Sequence, residues 1–441
     1  MEGKELKEIV GNADEVARQI YCSQLLDIQE GDWTYLLEDE VLRLFVEDNA
    51  ENLLLRIDTS INLQRQAVNT VAAVYSRPTT RTVNGDTKPF ENFDSLDLAF
   101  DAADKKSMVC QETFIRPLMD EDRNVIAVDI LTPDRAWGQP SEIDPLGLEW
   151  LLYKQGKEYV YWSAAHYAVY DENFELQPQP DNPTHENRLG VIPWVCIHNR
   201  YPADNVLFHW QESEQLRQAT LSAAVQKTDL NHIQHLQSFK QLVGLGFDDE
   251  TKAQKLTDPS RIMTVENPGA DVKVLDLQAD VKGQLDTIIE AASVTLNQMG
   301  IRPEVTRGTL SAQSGYALTI QMHNTEREWE KRRTLWRIYE QRFYDIARLV
   351  WEVFTGNVLP EGDVVVEYQP LGPGANMSEE VATWSEAVHA KLSSRKRAIM
   401  ALHNLSEDEA EEELQTIQAE EQMLMYPLLP LDNDNTELDE E

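Results

Sequence analysis

The chain has 441 residues, 41% of them hydrophobic, so it is long enough for two to four domains with packed cores or for one elongated subunit of several parts. Its 77 acidic residues against 39 Lys and Arg leave a formal net charge of −38, which excludes a general attraction for nucleic-acid phosphates. The three cysteines lie far apart and form no CxxC pair, which argues against a zinc motif and a disulfide framework. We expect a reduced, intracellular setting, because there is no apolar signal segment and no stretch reaches the ~18 apolar residues of a membrane span.

The first part of the chain is predicted to be mainly helical. Apolar residues at helical spacing predict a helix over about 4–22, a helical region over about 37–76 that stops before Pro78, and a helix over about 95–111. Residues 80–92 contain Gly, Pro, Asn and Asp between these helices, so they are predicted to form a loop.

Residues 113–200 change to short runs of alternating apolar and polar residues. The stretch FIRPLMDEDRNVIAVDIL predicts a hairpin, because a polar Asp-Glu-Asp-Arg-Asn segment separates two such runs. Further short runs continue as far as Pro202 and Asn205, which end the pattern. The prediction is a β-rich region of antiparallel strands.

Two long helices that enclose a small mixed segment are predicted next. Apolar residues recur every three positions from Leu230 to Leu242, which indicates a helix, and Asn-Pro-Gly marks a turn further along. The predicted elements are a helix over 207–243, a short helix over 249–256, strands over 260–265 and 272–276, and a helix over 279–299.

A polar loop and a very long helix follow. Glycines, serines and threonines between Gly300 and Ser314 predict an irregular loop, and Ser314 suits a helix N-cap because its hydroxyl can accept a free backbone N–H. From Gly315 to Phe354 there is no proline and no further glycine, which predicts one helix roughly 60 Å long at 1.5 Å per residue. A helix of that length needs a large assembly to bury one face.

Aromatic residues form a stripe along this helix. We expect them to pack in a core, with a contact between subunits as the alternative. The stripe consists of Trp329, Trp336, Tyr339, Phe343 and Trp351.

The C-terminal part is predicted to contain a strand over 363–371 and three helices over about 378–391, 394–403 and 406–424. The last 36 residues contain 14 Asp or Glu and no Lys or Arg, which is typical of a solvated or disordered tail. Taken together, these elements predict a mainly helical α+β fold.

The sequence contains no recognisable catalytic motif. GxxxxGK[ST], GxSxG and HExxH are absent, and no pair of carboxylates stands out as an acid–base couple. His232 and His235 lie three apart on a predicted helix and could share a metal, but such pairs are more often packed or solvated. We therefore predict no catalytic residue, no metal site and no cofactor, and keep an enzyme with an acidic metal site only as an alternative.

Three local motifs, in their order and spacing, resemble the portal proteins of tailed bacteriophages, the head-to-tail connectors. LGVIPWVCIHN before the first long helix resembles the family's Gly-x-x-Pro-hydrophobic entry, and SGYAL from Ser314 resembles its Ser/Thr-Gly-x-Ala-Leu helix start. LSSRKRAIMALHNLSEDEAEEELQTIQAEE resembles the family's Ser-Arg/Lys-x-x-Ala helix followed by an acidic helix. Each motif is weak alone, and together they cover about residues 190–425.

The resemblance implies an elongated portal subunit built of named parts. These are a wing, helical and then β-rich (1–206), a stem helix (207–243), a clip (244–277), a second stem helix (278–299), a tunnel loop (300–315), a long wing helix and strand (316–375), a helical crown (376–424) and an acidic disordered tail (425–441).

The resemblance also implies a function without catalysis. Portal chains form a homo-oligomeric ring, usually of twelve, at one capsid vertex, through which the terminase motor packages double-stranded DNA that is later ejected into the tail. The implied partners are this DNA, the terminase, a head–tail adaptor, and the major capsid and scaffolding proteins, with no membrane. The implied location is the virion, after assembly in the host cytoplasm. The alternative is a helical structural adaptor or scaffold protein of a virion, without a channel.

The implied site residues lie in the tunnel loop and the clip. The tunnel loop would line the channel with Arg302, Thr306, Arg307, Thr309, Ser311, Gln313 and Ser314, with Gly300, Gly308 and Gly315 as hinges. The clip would meet the terminase and the adaptor through Asp248, Lys252, Lys255, Arg261 and Lys273.

An acidic channel with few cations would let DNA slide, because each neutralised phosphate adds salt-sensitive affinity. Arg302 and Arg307 would then make short, replaceable phosphate contacts, unless they pair with acidic neighbours such as Glu304. Lys227 and Lys240 are weaker candidates for DNA contact.

Overall fold

The structure is a computed structural model, and it describes residues 2–238, 241–245, 271–275, 281–298, 315–369, 384–386, 388–389, 391, 393–403, 410–411 and 414–415. The chain divides into two compact units. The larger unit comprises Met1–Ser311 and Gln321–Leu371, and the smaller comprises Ala312–Ile320 and Gly372–Glu441.

The larger unit begins with helices in the parts of the chain that the sequence predicts to be helical. These are α1 (Gly3–Val10), α2 (Ala13–Glu30), α3 (Thr34–Leu44), α4 (Glu47–Leu54), α5 (Leu63–Val71) and α6 (Leu96–Cys110). The helix predicted over 4–22 is divided, because the Asn12 side chain accepts the N–H of Asp14 at 2.8 Å and caps α2. Gly31 ends α2 with a φ of 98°, a left-handed conformation that glycine adopts without strain. The helical region predicted over 37–76 is confirmed and contains α4, α5 and most of α3.

Antiparallel strands fill the region predicted to be β-rich. They are β2 (Glu112–Asp120), β3 (Val125–Leu131), β4 (Ala136–Pro140), β5 (Leu148–Gln155), β6 (Glu158–Ser163), β7 (Tyr167–Tyr170) and β8 (Val195–His198). One sheet has the order β3–β2–β8, and the other is a meander, β4–β5–β6–β7. The predicted hairpin is confirmed as the pair β2–β3.

The prediction of a loop over residues 80–92 is wrong. Residues Thr80–Val83 form a strand, β1, and Lys88–Asn92 form a turn of 3₁₀ helix. The partner of β1 is β11 (Val364–Glu367), with Thr80 opposite Glu367 in an antiparallel ladder. A strand whose partner lies so far along the chain leaves little local signal. The strand predicted over 363–371 is confirmed as the shorter β11.

The predicted helix over 207–243 is too long at both ends. A 3₁₀ turn precedes α7 (Glu214–Ser238), and the next described segment is a strand, β9 (Gln241–Leu245). That strand pairs with β10 (Asp271–Leu275), which overlaps the strand predicted over 272–276. The elements predicted over 249–256 and 260–265 lie outside the described residues. The helix predicted over 279–299 is confirmed as α8 (Val281–Gln298).

The very long helix is confirmed as α9 (Gly315–Thr355), which has 41 residues. Its aromatic stripe is buried, and Trp336, Tyr339 and Phe343 pack in one core with residues of α6, β2, β3 and β8. The predicted core packing is therefore confirmed for this stripe. Gly356 follows the helix with a φ of 72°.

The smaller unit contains α10 (Arg395–His403), in the place of a predicted helix. Lys396 Nζ lies 2.5 Å from Glu411 Oε2 within this unit. The predicted acidic tail over 425–441 lies outside the described residues.

The whole is a mainly helical α+β fold, as predicted. Among the described helices, none combines the length and the apolar character needed to cross a membrane.

Candidate functional site

The residues implied by the family resemblance fall almost entirely outside the described part of the chain. For the tunnel loop, only Gly315 is described, as the first residue of α9. For the clip, only Lys273 is described, in β10 opposite Val243. The roles of all these residues therefore stay predictions.

The elements that flank both segments are described, and α7 packs on α8. Leu216, Ala223 and Leu230 of α7 share one core cluster with Ile288, Ala292 and Leu296 of α8, and α2 and α5 contribute to the same cluster. Small residues such as Ala223 and Ala292 let two helices approach closely.

Between α7 and α8, the described residues form an antiparallel strand pair, β9–β10. Leu245, the last residue of β9, lies opposite Asp271, the first residue of β10. These two residues are the last described residue before 246–270 and the first described residue after it, and residues 246–270 themselves lie outside the described part of the chain.

Helix α9 is tied to α6 by a buried charged cluster. The Asp104 carboxylate, which is fully buried, accepts hydrogen bonds from Arg332 Nε at 3.1 Å and from Trp336 Nε1 at 2.6 Å. Arg332 also donates to Ser107 Oγ at 3.2 Å. A buried ion pair of this kind fixes geometry, since either charge left alone would be poorly solvated.

A second buried cluster joins α9 to the β1–β11 pair. Glu340 accepts hydrogen bonds from the hydroxyls of Tyr75 at 2.7 Å and Tyr368 at 3.3 Å, and it pairs with the guanidinium of Arg81. Arg81 also lies 2.8 Å from Asp97 Oδ1. Burial raises the pKa of the Tyr75 hydroxyl well above its ordinary value, and the charge of Glu340 adds to the effect.

A third contact joins α9 to β8. The Tyr339 hydroxyl accepts the backbone N–H of His198 at 3.1 Å and donates to the carbonyl of the same residue at 3.3 Å. Both groups are buried, so the tyrosine satisfies backbone atoms that have no sheet partner on that side.

Next to this contact, the fold brings together three side chains that can bind a metal. The ligand atoms of Glu112, His198 and His209 all lie within 4.8 Å of one another. His209 Nδ1 is 2.8 Å from Glu112 Oε1, and His198 Nδ1 is 3.7 Å from the same oxygen. The hydrogen bond to Glu112, with a further one to Asp204, raises the pKa of His209 to about 9.

Sequence reasoning missed this cluster. Glu112 and His198 meet because β2 pairs with β8, where the two residues are register partners. No local pattern in the sequence indicates that β2 pairs with β8. His232 and His235, which the sequence suggested as a metal pair, both lie on α7 and belong to no group of three potential metal ligands in the part of the chain that the structure describes.

Residues 214–425 match the model of a family described as "Phage portal protein, SPP1 Gp6-like". The match begins at Glu214, the first residue of α7, and includes α8, α9, β11 and α10. No curated protein sequence matches the chain.

Three solved structures show a distant likeness. A chain of "Virion of native gene transfer agent (GTA) particle" is 13% identical, with 81% of this chain and 94% of that chain covered and a TM-score of 0.44. A chain of "Neck of empty GTA particle computed with C6 symmetry" is 12% identical, with 78% and 91% covered and a TM-score of 0.45. A chain of "Neck of native GTA particle computed with C12 symmetry" is 12% identical, with 78% and 91% covered and a TM-score of 0.41. These TM-scores are low, so the likeness decides nothing about this chain.

Proposed function

We propose that this chain, whose residues 214–425 belong to the phage portal protein family, forms a ring-shaped channel at one capsid vertex through which double-stranded DNA is packaged and later ejected. The family is structural and non-enzymatic, so the chain is a structural protein rather than an enzyme. The assembly of a ring, the passage of DNA and the binding of other partners are proposals.

The observation that carries the proposal is the family match over α7, the β9–β10 pair, α8 and α9. With 25 residues in α7 and 41 in α9, these helices are roughly 37 Å and 60 Å long at 1.5 Å per residue. Helix α7 packs on α8, and α9 packs on the β-rich part. Helices of this length suit the wall of a channel.

The charge of the chain supports passage of DNA rather than its retention. A net charge of −38 per chain repels phosphates, and a ring of twelve would multiply this charge twelvefold. A conduit must release DNA continually, so a wall with few available cations is an advantage. Arg302 and Arg307 are proposed as the replaceable contacts.

The position of the proposed tunnel loop also fits this function. Residues 300–314 connect α8, which is buried as far as Leu296, to α9, which is buried from Trp329 onward among the described side chains. A loop that connects two packed helices can change its conformation while the helices stay folded. We propose that the clip, residues 244–277, meets the terminase and then the adaptor, and that other surfaces meet the capsid and scaffolding proteins.

Negative-stain electron microscopy of the purified chain tests the proposal first. We expect rings with a central hole of about 20–40 Å, wide enough for a duplex whose major groove alone is about 12 Å across. Monomers or dimers alone, over a range of protein and salt concentrations, would instead favour a structural adaptor without a channel.

A loop variant tests the proposed passage of DNA. Deletion of residues 303–314 is expected to leave rings intact and to abolish packaging in an assay with the terminase and empty proheads. Arg302→Gln with Arg307→Gln should slow packaging, whereas Lys157→Gln, an exposed cation in the β5–β6 turn, should not. Normal packaging by rings that lack the loop would contradict the role of the loop.

A further inference from the structure

We infer that Glu112, His198 and His209 form a binding site for a divalent transition-metal ion of the Zn²⁺ class. Such a site would join the sheet of β2 and β8 to the segment just before α7. The inference concerns only the larger unit and does not depend on the channel proposed above.

The first reason is a buried histidine without a partner. His198 is 4% exposed, and neither of its ring nitrogens has a hydrogen-bond partner. A buried polar group that lacks a partner is costly and calls for an explanation. Glu112 and His209 satisfy each other, so their ion pair alone would leave the cost at His198 unexplained. A metal between the three side chains would bind one of these two nitrogens, Nδ1, which is the one near Glu112.

The second reason is the geometry of the three ligand atoms. Two imidazoles and one carboxylate are a ligand set that Zn²⁺ takes in proteins. Tetrahedral bonds of about 2.0–2.2 Å separate neighbouring ligand atoms by about 3.4 Å. The distances from Glu112 Oε1 to His209 Nδ1, 2.8 Å, and to His198 Nδ1, 3.7 Å, lie on either side of that value. The nitrogens of His198 and His209 lie within 4.8 Å of each other, so the two rings have to approach somewhat to share an ion.

The third reason is that the ligands are already oriented by other groups. His209 Nε2 lies 2.9 Å from Asp204 Oδ1, so the carboxylate can hold the ring with Nδ1 facing Glu112. The backbone N–H of His209 lies 3.1 Å from each oxygen of Glu112. Metal-bound histidines usually donate their second N–H to a carboxylate in this way, and loss of that partner weakens metal binding.

A cavity gives access to the cluster and room for a fourth ligand. It has a volume of about 240 Å³ and is lined by Glu112, Asp204 and His209, together with Arg200 and Glu212. A water molecule can complete the coordination from this side. The ion would then link β2, β8 and the residue five positions before α7, so it would set where α7 leaves the β-rich part.

Zinc titration of the full-length chain tests the inference. The chain is first treated with EDTA and dialysed, and Zn²⁺ is then added while heat of binding and melting temperature are recorded. We expect about one ion per chain and a rise in melting temperature, because a ligand of the folded state stabilises it. Co²⁺ in place of Zn²⁺ should give the visible absorption bands of a four-coordinate ion.

Variants locate the site and separate metal binding from folding. His209→Gln changes a partly exposed ligand and should abolish binding with little loss of fold, whereas Asp204→Asn should weaken binding by about 10–100-fold. His166→Gln, at an exposed position, and His232→Gln, on α7, are controls that should bind as the unchanged chain does. Absence of Zn²⁺ binding by the unchanged chain, or binding of the same ion by the His209→Gln variant, would overturn the inference.

Discussion

At the scale of single residues, α9 is held by charges that lie inside the protein. Asp104 is fully buried, Arg332 is 7% exposed and Glu340 is 3% exposed. Groups of this kind are rarely buried without partners, because removing a charge from water costs several kcal/mol. Here each charge has an oppositely charged partner and further hydrogen bonds. The clusters therefore fix the position of α9 against the rest of the core more than they stabilise the folded state.

Breaking one of these pairs should be strongly destabilising. Arg332→Met leaves the Asp104 carboxylate buried with no countercharge, so we expect a loss of about 3–5 kcal/mol in the free energy of unfolding, measured with urea. The double variant Asp104→Leu with Arg332→Met should regain part of that loss, because both charges are then removed.

Lys331→Met is the matched control for this change. Lys331 is the neighbouring cation on α9, and its ion pair with Glu328 is exposed, so we expect a loss of only about 0–1 kcal/mol. An Arg332→Met variant as stable as Lys331→Met would show that the buried pair does not anchor the helix.

At the scale of elements, α9 is the part on which the larger unit is built. Between Trp329 and Trp351 its buried residues contact α5, α6, the sheet of β2, β3 and β8, and strand β1. These contacts are spread over several turns, so the helix has to remain straight for all of them to form together.

A proline in the middle of α9 should disturb several of these contacts together. Lys331→Pro removes one backbone hydrogen bond and adds a clash with the preceding turn, at a cost of about 3 kcal/mol or more. We expect a lower melting temperature by circular dichroism and fewer rings by electron microscopy. Lys331→Ala, which removes the same exposed side chain without bending the helix, should melt and assemble normally. Equal behaviour of the two variants would mean that the rest of the unit does not depend on a straight α9.

At the scale of the whole molecule, the excess of acidic residues is the dominant property. A chain with a net charge of −38 has no reason to bind duplex DNA from solution, even though it is proposed to let DNA pass. Binding and passage are different requirements. A basic surface would serve the first, whereas an acidic channel wall serves the second.

Gel-shift measurement of the purified chain with duplex DNA tests this distinction. We expect no retained complex even at about 50 mM salt, where electrostatic binding to DNA is strongest. A basic DNA-binding protein of similar size serves as the positive control. Retention of DNA with a steep loss on added salt would show a basic surface that neutralises several phosphates, contrary to the proposed wall.

Prediction from sequence succeeded where the signal was local. The helices α6, α8 and α9, and the β2–β3 hairpin, have periodic patterns contained within one stretch of chain. It failed where an element depends on a distant partner, as at β1, which pairs with β11, and at β9, which pairs with β10. The helical spacing of apolar residues in α7 continues into β9, so periodicity alone could not show that the helix ends before β9.

Side-chain groupings were harder to predict than elements. Cys22 and Cys110 are far apart in sequence, but in the fold both are buried, and a hydrogen bond with Cys22 raises the pKa of Cys110. The cluster of Glu112, His198 and His209 likewise exists only because β8 pairs with β2. The predicted tunnel-loop and clip residues lie almost entirely outside the described residues, so their roles rest on the family resemblance and stay predictions.

By itself, the sequence determined the class of fold, the order of the main helices and the resemblance of residues 190–425 to the phage portal proteins. Helical spacing, acidic excess and short motifs are properties of neighbouring residues, and they can be read without knowing what packs against what. Only the tertiary structure decided which strands pair and which buried charges and histidines meet. Those contacts join residues far apart along the chain, and the energy that selects them comes from burial and pairing in the folded state.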